Sequence, residues 1–444
     1  MIELRIAATD MQALRSALLG LGREQCAILF ASHGRGDDGC DRLLVRDMAL
    51  PLHGDYERSG IDHAELKPEF VARVAKRARL ECLSLVFVHT HPGEKAAHFS
   101  SIDDYGEAEL AAFLARRGQT NIHAAMVLSL GGLRARVLAQ SDDVRVVSVG
   151  DRLTVEFDPK AADEGVNLQF DRQVRAFGAS GQRSLQGLRV AIVGLGGTGS
   201  IIAQQLVHLG VRDFILVDPD HLEVTNLNRV VGARAKDIGR SKVEVAQRYL
   251  ERFAPNVMVR SVVGDVVRTS VARRLVDADV ILCCTDSHGS RSVVQQLAYQ
   301  FLLPCIDVGS TITANAGEIT EIFGRVQLLG PDQPCLWCTG LLSSEEVRRD
   351  MMSEFERKAD PYIQGAHEPA PSVVSLNGTV VSLAVTMLLG LATSVPVNSR
   401  HLIYNARAST LRPVRGVAKE NCFICSRAGV FGRGDAQQLF ARQD

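Results

Sequence analysis

RVAIVGLGGTG, Arg189 to Gly199, is the stretch whose reading decides the fold. Val190 to Val193 make a short buried strand that runs into a glycine-rich turn, and a helix begins through Ser200, Ile201, Ile202 and Ala203. Gly194, Gly196 and Gly199 fit G-x-G-x-x-G, with Gly197 as an extra glycine. Glycine is required where the turn is tight and the backbone must approach a phosphate closely. The free N–H groups at the helix start then face that phosphate, and the helix dipole favours its charge. Taken alone, the pattern says only that a nucleotide binds to a parallel α/β sheet, and a dehydrogenase would carry it too.

The residues downstream narrow the chemistry. The helix runs to about Leu209, and a second strand, Asp213 to Val217, ends in Asp218, where ribose hydroxyls are held in such folds. VDPDHLEVTNLNR follows with Asn226, Asn228 and Arg229, and DIGRSKVEVA places Lys242 near a helix start. A later strand, Asp279 to Cys284, ends in TDS with Asp286 at its edge. Ligands of open α/β sheets collect at the carboxyl ends of strands, so these groups are expected in one crevice. Each charge alone reads as a solvated surface group; together they suit an acyl-adenylation. Arg229 and Lys242 would neutralise a triphosphate, Asn226 would hydrogen-bond a phosphate oxygen, and Asp286 would hold Mg²⁺, which prefers hard oxygen ligands. Such a step needs positioning and charge stabilisation, with no nucleophile from the chain.

This region resembles the ThiF/MoeB family and the adenylation half of ubiquitin-activating enzymes, with GLGGTG, DPD–TNLNR, GRSK and CTDS in the family's order. The resemblance implies ATP and Mg²⁺. It also implies that Arg172, in DRQV, reaches the ATP of a neighbouring subunit in a two-fold homodimer. Cys335 and Cys338 (CLWC) with Cys422 and Cys425 (CFIC) form two C-x-x-C pairs, the ligand set of a closed structural zinc; a redox role is the alternative. The crossing loop, Asp350 to Asn377, departs from thioester-forming relatives because it contains no cysteine. Cys283, Cys284 and Cys305 fall on apolar strands and read as inert core thiols. Either the reaction stops at the adenylate, or a hydroxyl takes the acyl group. Ser372 and Ser375 are the candidates, with His367 as the loop's histidine.

The amino-terminal part carries a second chemistry. Met11 to Leu21 have helical spacing, Cys26 to Phe30 make a strand, Ala72 to Leu80 a helix, and Leu83 to Val88 a strand that delivers HTHPGEKAAHFSSIDD, His89 to Asp104. Alternate strand residues point the same way, so His89 and His91 can reach one ion. Asp103 adds an oxygen ligand, which leaves a fourth position open, as in a catalytic zinc. Glu24 is the candidate general base, with Glu94 as alternative, and Ser100 the donor to an oxyanion. His98 reads as a solvated loop histidine. H-x-H-P followed by S-x-x-D, with an upstream glutamate, resembles the JAB/JAMM (MPN) metalloproteases. That resemblance implies a zinc isopeptidase acting after the terminal glycine of a ubiquitin-like protein. The loop before Ser100 is one residue longer than the family's usual spacing, so Ser101 and Asp104 stand as alternatives.

The totals set bounds. A chain of 444 residues should hold two or three domains, and 46% hydrophobic content suits buried cores. A net charge of −1 provides no field for nucleic acid or anionic membrane, and RVAKRAR, Arg73 to Arg79, reads as a solvated helix face. The start lacks a signal pattern, and of ten cysteines four lie in metal-type pairs, so a reducing cytoplasm is expected. Ser372 to Ser399 is uncharged and long enough for a membrane span, but its Ser382, Thr386 and Pro396 favour a helix buried under a sheet.

The expected class is therefore α/β. Residues 1–157 form a JAB/MPN domain, 158–170 a polar linker, and 171–444 a Rossmann-like, doubly wound adenylation domain with the four-cysteine zinc. The expected activity is bifunctional. One site adenylates the carboxyl terminus of a ubiquitin-like β-grasp protein; the other hydrolyses the bond after it. A conjugating enzyme is the further implied partner. The alternatives are activation and processing of a sulfur carrier, or a non-catalytic scaffold.

Overall fold

The computed structural model describes residues 2–20, 22–61, 63–92, 96–118, 121–160, 165–315, 318–353, 356 and 371–443. Two compact units are present. The first comprises Met1–Asp163 with two further short segments, Gln300–Leu302 and Val430–Gln438; the second comprises Glu164–Tyr299, Leu303–Gly429 and Leu439–Asp444.

In unit 1, β1 (Ile2–Ala7) is followed by α1 (Ala8–Leu18), β2 (Cys26–Arg35), β3 (Asp41–Ala49), the hairpin β4 (Tyr56–Ser59) and β5 (Ala64–Leu66), and α2 (Pro68–Leu80). Then come β6 (Ser84–Thr90), α3 (Ser101–Arg116), β7 (Ala124–Ser129), β8 (Gly132–Val137), β9 (Val144–Val149) and β10 (Leu153–Phe157). The strands form one mixed sheet in the order β10-β9-β1-β3-β2-β6-β7-β8. Strand alternation assigns its faces. Leu4, Ile6, Leu29 and Val88 join the core under α1, whereas Ile28, Phe30, Leu85 and Phe87 join the core under α2 and α3. In β1, Glu3 and Arg5 take the face opposite Leu4 and Ile6. They are buried as an ion pair, and Glu3 also pairs with Arg42 and Arg145.

Unit 2 opens with α4 (Asp171–Gly187), β11 (Arg189–Val193), α5 (Gly197–Leu209), β12 (Asp213–Asp218), α6 (Lys242–Phe253), β13 (Met258–Val263), α7 (Thr269–Arg273), β14 (Val280–Cys283) and α8 (His288–Gln300). It continues with β15 (Cys305–Asn315), β16 (Glu318–Leu329), α9 (Ser344–Met351), α10 (Val374–Ala392), β17 (His401–Asn405) and β18 (Thr410–Pro413). The sheet order is β13-β12-β11-β14-β15-β16-β17-β18. The first five strands are parallel, and β16 to β18 extend them antiparallel. Strand order reverses between β11 and β14, the switch point where such sheets bind ligands. The central strands β11, β12 and β14 are mostly apolar runs because both faces are covered, whereas the edge strand β13 is partly exposed. Helix α10 lies against α5, β15 and β16. It is long and apolar enough to cross a membrane, and half of its most apolar window is buried inside the protein.

Several local readings shift. Helix α1 covers Ala8–Leu18 where Met11 to Leu21 was expected, and α2 starts at Pro68, four residues before Ala72. Helix α5 starts at Gly197, three residues before Ser200. β2 extends to Arg35, well past Phe30. Cys284 lies just beyond β14 and is half-buried, whereas Cys283 and Cys305 are core residues as expected.

Candidate functional site

In unit 1, β2 and β6 run antiparallel with Cys26 opposite His89. The pairing continues past the ladder, since Thr90 N donates to Gln25 O and Gln25 N donates to Thr90 Oγ1. His91 N donates to Leu128 O, which fixes the chain beyond β6. His89 and His91 therefore project to the same side, with ring centroids 5.1 Å apart. Asp103 arrives from the first turn of α3. Ser100 caps that helix, and its N and Oγ both donate to Asp103 Oδ2, at 2.6 and 2.8 Å.

His89 Nε2 stands 3.1 Å from Asp103 Oδ1, and His91 Nε2 stands 3.7 Å from Oδ2. One ligand atom from each of the three residues falls within 4.8 Å of the other two. His89 Nε2 is buried and turned toward the Asp103 carboxylate, the orientation of two ligands to one ion. Burial and the charge of His89 push the His91 imidazole below its ordinary value, so the ring is neutral and able to ligate. Burial opposes ionisation of Asp103, but His89 and the two Ser100 donors outweigh it and hold the carboxyl well below the usual range. The set fits zinc in residue type and count, with one coordination position left for water.

Glu24 Oε1 lies 3.9 Å from His91 Nε2, so the glutamate assigned from context alone faces this cluster. Glu94 lies outside the described residues. Ser100 differs from the reading that gave it to an oxyanion: its hydroxyl points at Asp103, because the same side chain closes the capping box of α3. His98 is an exposed loop residue, as expected, and its ring lies 5.3 Å from that of His91. No spacing rule signals this.

In unit 2, Gly194 has φ +89°, and a Cβ there would lie 2.9 Å from the Cys284 carbonyl oxygen. A Cβ on Gly199 would lie 1.8 Å from the Gly194 carbonyl oxygen. A Cβ on Gly197 would meet the Asn377 amide and the Arg229 stem, whereas one on Gly196 would meet nothing. Gly196 is thus the open side of the turn, at the N-cap of α5. Cys284 N donates to Val193 O, which sets the segment bearing Asp286 beside the glycine turn. Asp286 itself is exposed.

Asp218 is buried at the end of β12, where its two oxygens accept from Leu195 N and Asp220 N. It braces the glycine turn, and burial raises its pKa. Lys242 Nζ donates to Asp220 Oδ2 at 2.7 Å, one strand end away from the turn. Arg229 packs its stem over Gly197 and donates to Thr225 O. Asn226 was expected on a phosphate. Its side-chain oxygen accepts from Glu223 N and closes the turn that presents Arg229, a bond that does not use its Nδ2 donor. Ser372 Oγ accepts from Asn377 Nδ2 at 3.0 Å. Ser375 is exposed in the first turn of α10, and His367 lies outside the described residues. Arg172 is exposed at the start of α4.

The four cysteines of unit 2 converge. Cys335 Sγ is 3.5 Å from Cys422 Sγ, and Cys338 Sγ is 3.6 Å from Cys425 Sγ. A tetrahedron with ~2.3 Å metal–sulfur arms has edges of ~3.8 Å, so these spacings suit four ligands to one zinc. They are far too long for disulfides. The close thiols share hydrogen bonds, which lower the Cys425 thiol and raise Cys335.

A profile described as the ThiF family matches residues 170–424. The chain belongs to the ThiF family. Relatives include the molybdopterin-synthase adenylyltransferase of Escherichia coli, 26% identical over 59% of this chain and 96% of that protein. The SAMP-activating enzyme E1 of Haloferax volcanii is 27% identical over 59% of this chain and 91% of its own. The sulfur carrier protein ThiS adenylyltransferase of Escherichia coli is 27% identical over 58% and 94%. Among solved structures, the microcin C7 biosynthetic enzyme MccB in complex with N-formylated MccA aligns at TM-score 0.47 and 14% identity. That alignment covers 90% of this chain and 100% of that one.

Proposed function

We propose that this ThiF-family chain is an ATP-dependent adenylyltransferase for the carboxyl terminus of a small ubiquitin-like or sulfur-carrier protein. We further propose that its amino-terminal unit hydrolyses the bond after that same terminus. The observation that carries the first half is the meeting of the glycine turn, Arg229, Lys242 and the Asp286 segment around one switch point. The tail carboxylate attacks the α-phosphorus of ATP; an acyl–oxygen–phosphorus bond forms, the bond to the bridging oxygen breaks, and pyrophosphate leaves. Arg229 and Lys242 carry the growing negative charge, and the N–H groups at the start of α5 orient the phosphates. Lys242 exchanges Asp220 for phosphate as ATP binds. Asp286 would hold Mg²⁺, which neutralises phosphate charge. Arg172 acts in trans across a two-fold dimer.

In unit 1, His89, His91 and Asp103 would hold zinc, which lowers the pKa of a bound water to about 7. Glu24 takes the proton of the attacking water and passes it to the leaving amine. Ser100 keeps Asp103 in its ligating orientation. The product of trimming is then the substrate for activation, which accounts for both chemistries sharing one polypeptide.

The test mixes the full chain and Mg·ATP with a glycine-ended β-grasp protein that carries a short carboxyl-terminal extension. Intact mass should show loss of the extension and then gain of an adenylate. Absence of both across candidate carriers would leave the scaffold reading. The second reading, sulfur-carrier activation, draws on two features: the named relatives, and a crossing loop without cysteine. A thiocarboxylate on the carrier, formed with a sulfur donor present, would favour it over conjugation.

A further inference from the structure

The described end of the crossing loop holds a small hydrogen-bonded array that the adenylation reading does not use. Asn377 sits in the first turn of α10 and is 1% exposed. Its Oδ1 accepts from Ser310 Oγ on β15, and its Nδ2 donates to Ser372 Oγ, each at 3.0 Å. The same Nδ2 lies 2.5 Å from where a Cβ on Gly197 would stand, so only glycine leaves room for the amide. Two chain segments distant in sequence, β15 and the start of α10, thus meet over the first residue of α5, where the helix presents its free N–H groups.

We propose that Ser372, held by Asn377, is a phosphate-contacting residue of the nucleotide site. The physical argument is the direction of the hydrogen bonds. A serine hydroxyl has one proton and two lone pairs. Here a lone pair of Ser372 is taken by the Asn377 amide, so its proton remains to be donated. A hydroxyl in that state is a poor nucleophile and a good donor, and the acceptor that the start of α5 attracts is a phosphate oxygen. Ser372 therefore donates to the triphosphate and does not receive the acyl group. Asn377 is a positioning residue that acts through Ser372 and Ser310. This inference rests on the adenylation reading.

The experiment is calorimetric titration of the full chain with Mg·ATP and, separately, with adenosine, which needs no partner protein. Ser372→Ala should weaken ATP about tenfold, the loss expected for one hydrogen bond to a charged group, and leave adenosine unchanged. Ser372→Thr keeps the hydroxyl and should bind ATP nearly as the parent chain does. Asn377→Asp turns the donor into an acceptor that captures the Ser372 proton, so it should lose ATP affinity as Ser372→Ala does. The double variant should lose no more than Asn377→Asp alone. Ser382→Ala, on the same helix, is the control and should match the parent. Ser372→Ala binding ATP within twofold of the parent, or losing adenosine equally, would overturn the inference while leaving adenylation intact. A parent chain that binds no ATP would instead overturn the adenylation reading. If Asn377→Asp fails to fold, Ser372→Ala and Ser372→Thr decide the matter.

Discussion

A single methyl group at Gly199 would collide with the Gly194 carbonyl, and that backbone has nowhere to go, since Gly194 N is bonded to Val217 O. Gly199→Ala should therefore abolish ATP binding outright, whereas Gly196→Ala, which meets no atom of the chain, should weaken it only if a phosphate needs the space. Titration of both variants separates the two uses of glycine. Pattern alone exposes these glycines, because tight turns leave few alternatives. It does not expose Asn377 or His98, whose partners Gly197 and His91 are brought close by the fold. Ser100 is legible as a site residue by type, but type does not say whether a side chain faces a ligand or closes a cap. At the metal cluster, His89→Ala or Asp103→Asn should lower zinc content by one equivalent per chain, read by elemental analysis. Cys335→Ser should remove the other equivalent and destabilise unit 2.

Elements were easier to read than their ends. The strand leading to Gly194 and the strand leading to His89 are apolar runs bounded by turns, and both formed where expected. The entry to α5 was set late because glycine carries no helical pattern, although the backbone is helical from Gly197 on. Between β6 and β7 a buried histidine links two strands: His123 Nδ1 accepts from Leu85 N at 2.9 Å. Burial pushes this imidazole down to about 4, from an ordinary value near 6.5. The unfolded chain thus binds a proton that the folded chain refuses, between pH 6.5 and about 4. Stability from this residue is complete above pH 6.5 and is lost as pH falls through 4, a change of roughly 3 kcal/mol. Amide exchange in β6 and β7 should accelerate over that window, and His123→Gln should flatten the dependence.

For the whole molecule, the proposed dimer makes a sharp demand. If Arg172 reaches the nucleotide of the other subunit, then Arg172→Ala and Lys242→Ala chains, each inactive alone, should regain part of the ATP–pyrophosphate exchange when co-expressed. No recovery in purified mixed dimers would place Arg172 outside the reaction. Metal should also separate the halves. A chelator should strip the partly exposed His89–His91–Asp103 set before the more buried cysteines, so the proposed peptidase activity should vanish while ATP affinity persists.

Unit 1 is not one continuous length of chain, since Gln300–Leu302 and Val430–Gln438 belong to it. Asp435 accepts from Arg35 N, Gln300 donates to Gly434 O, and Gly434 lies so near His33 O that no other residue fits. A gene cut near codon 163 would deliver a half missing the backing of β2, the strand that opposes His89. Gene fission into two free units would first demand new residues along that flank, so inheritance of the pair as one reading frame is favoured by its own architecture.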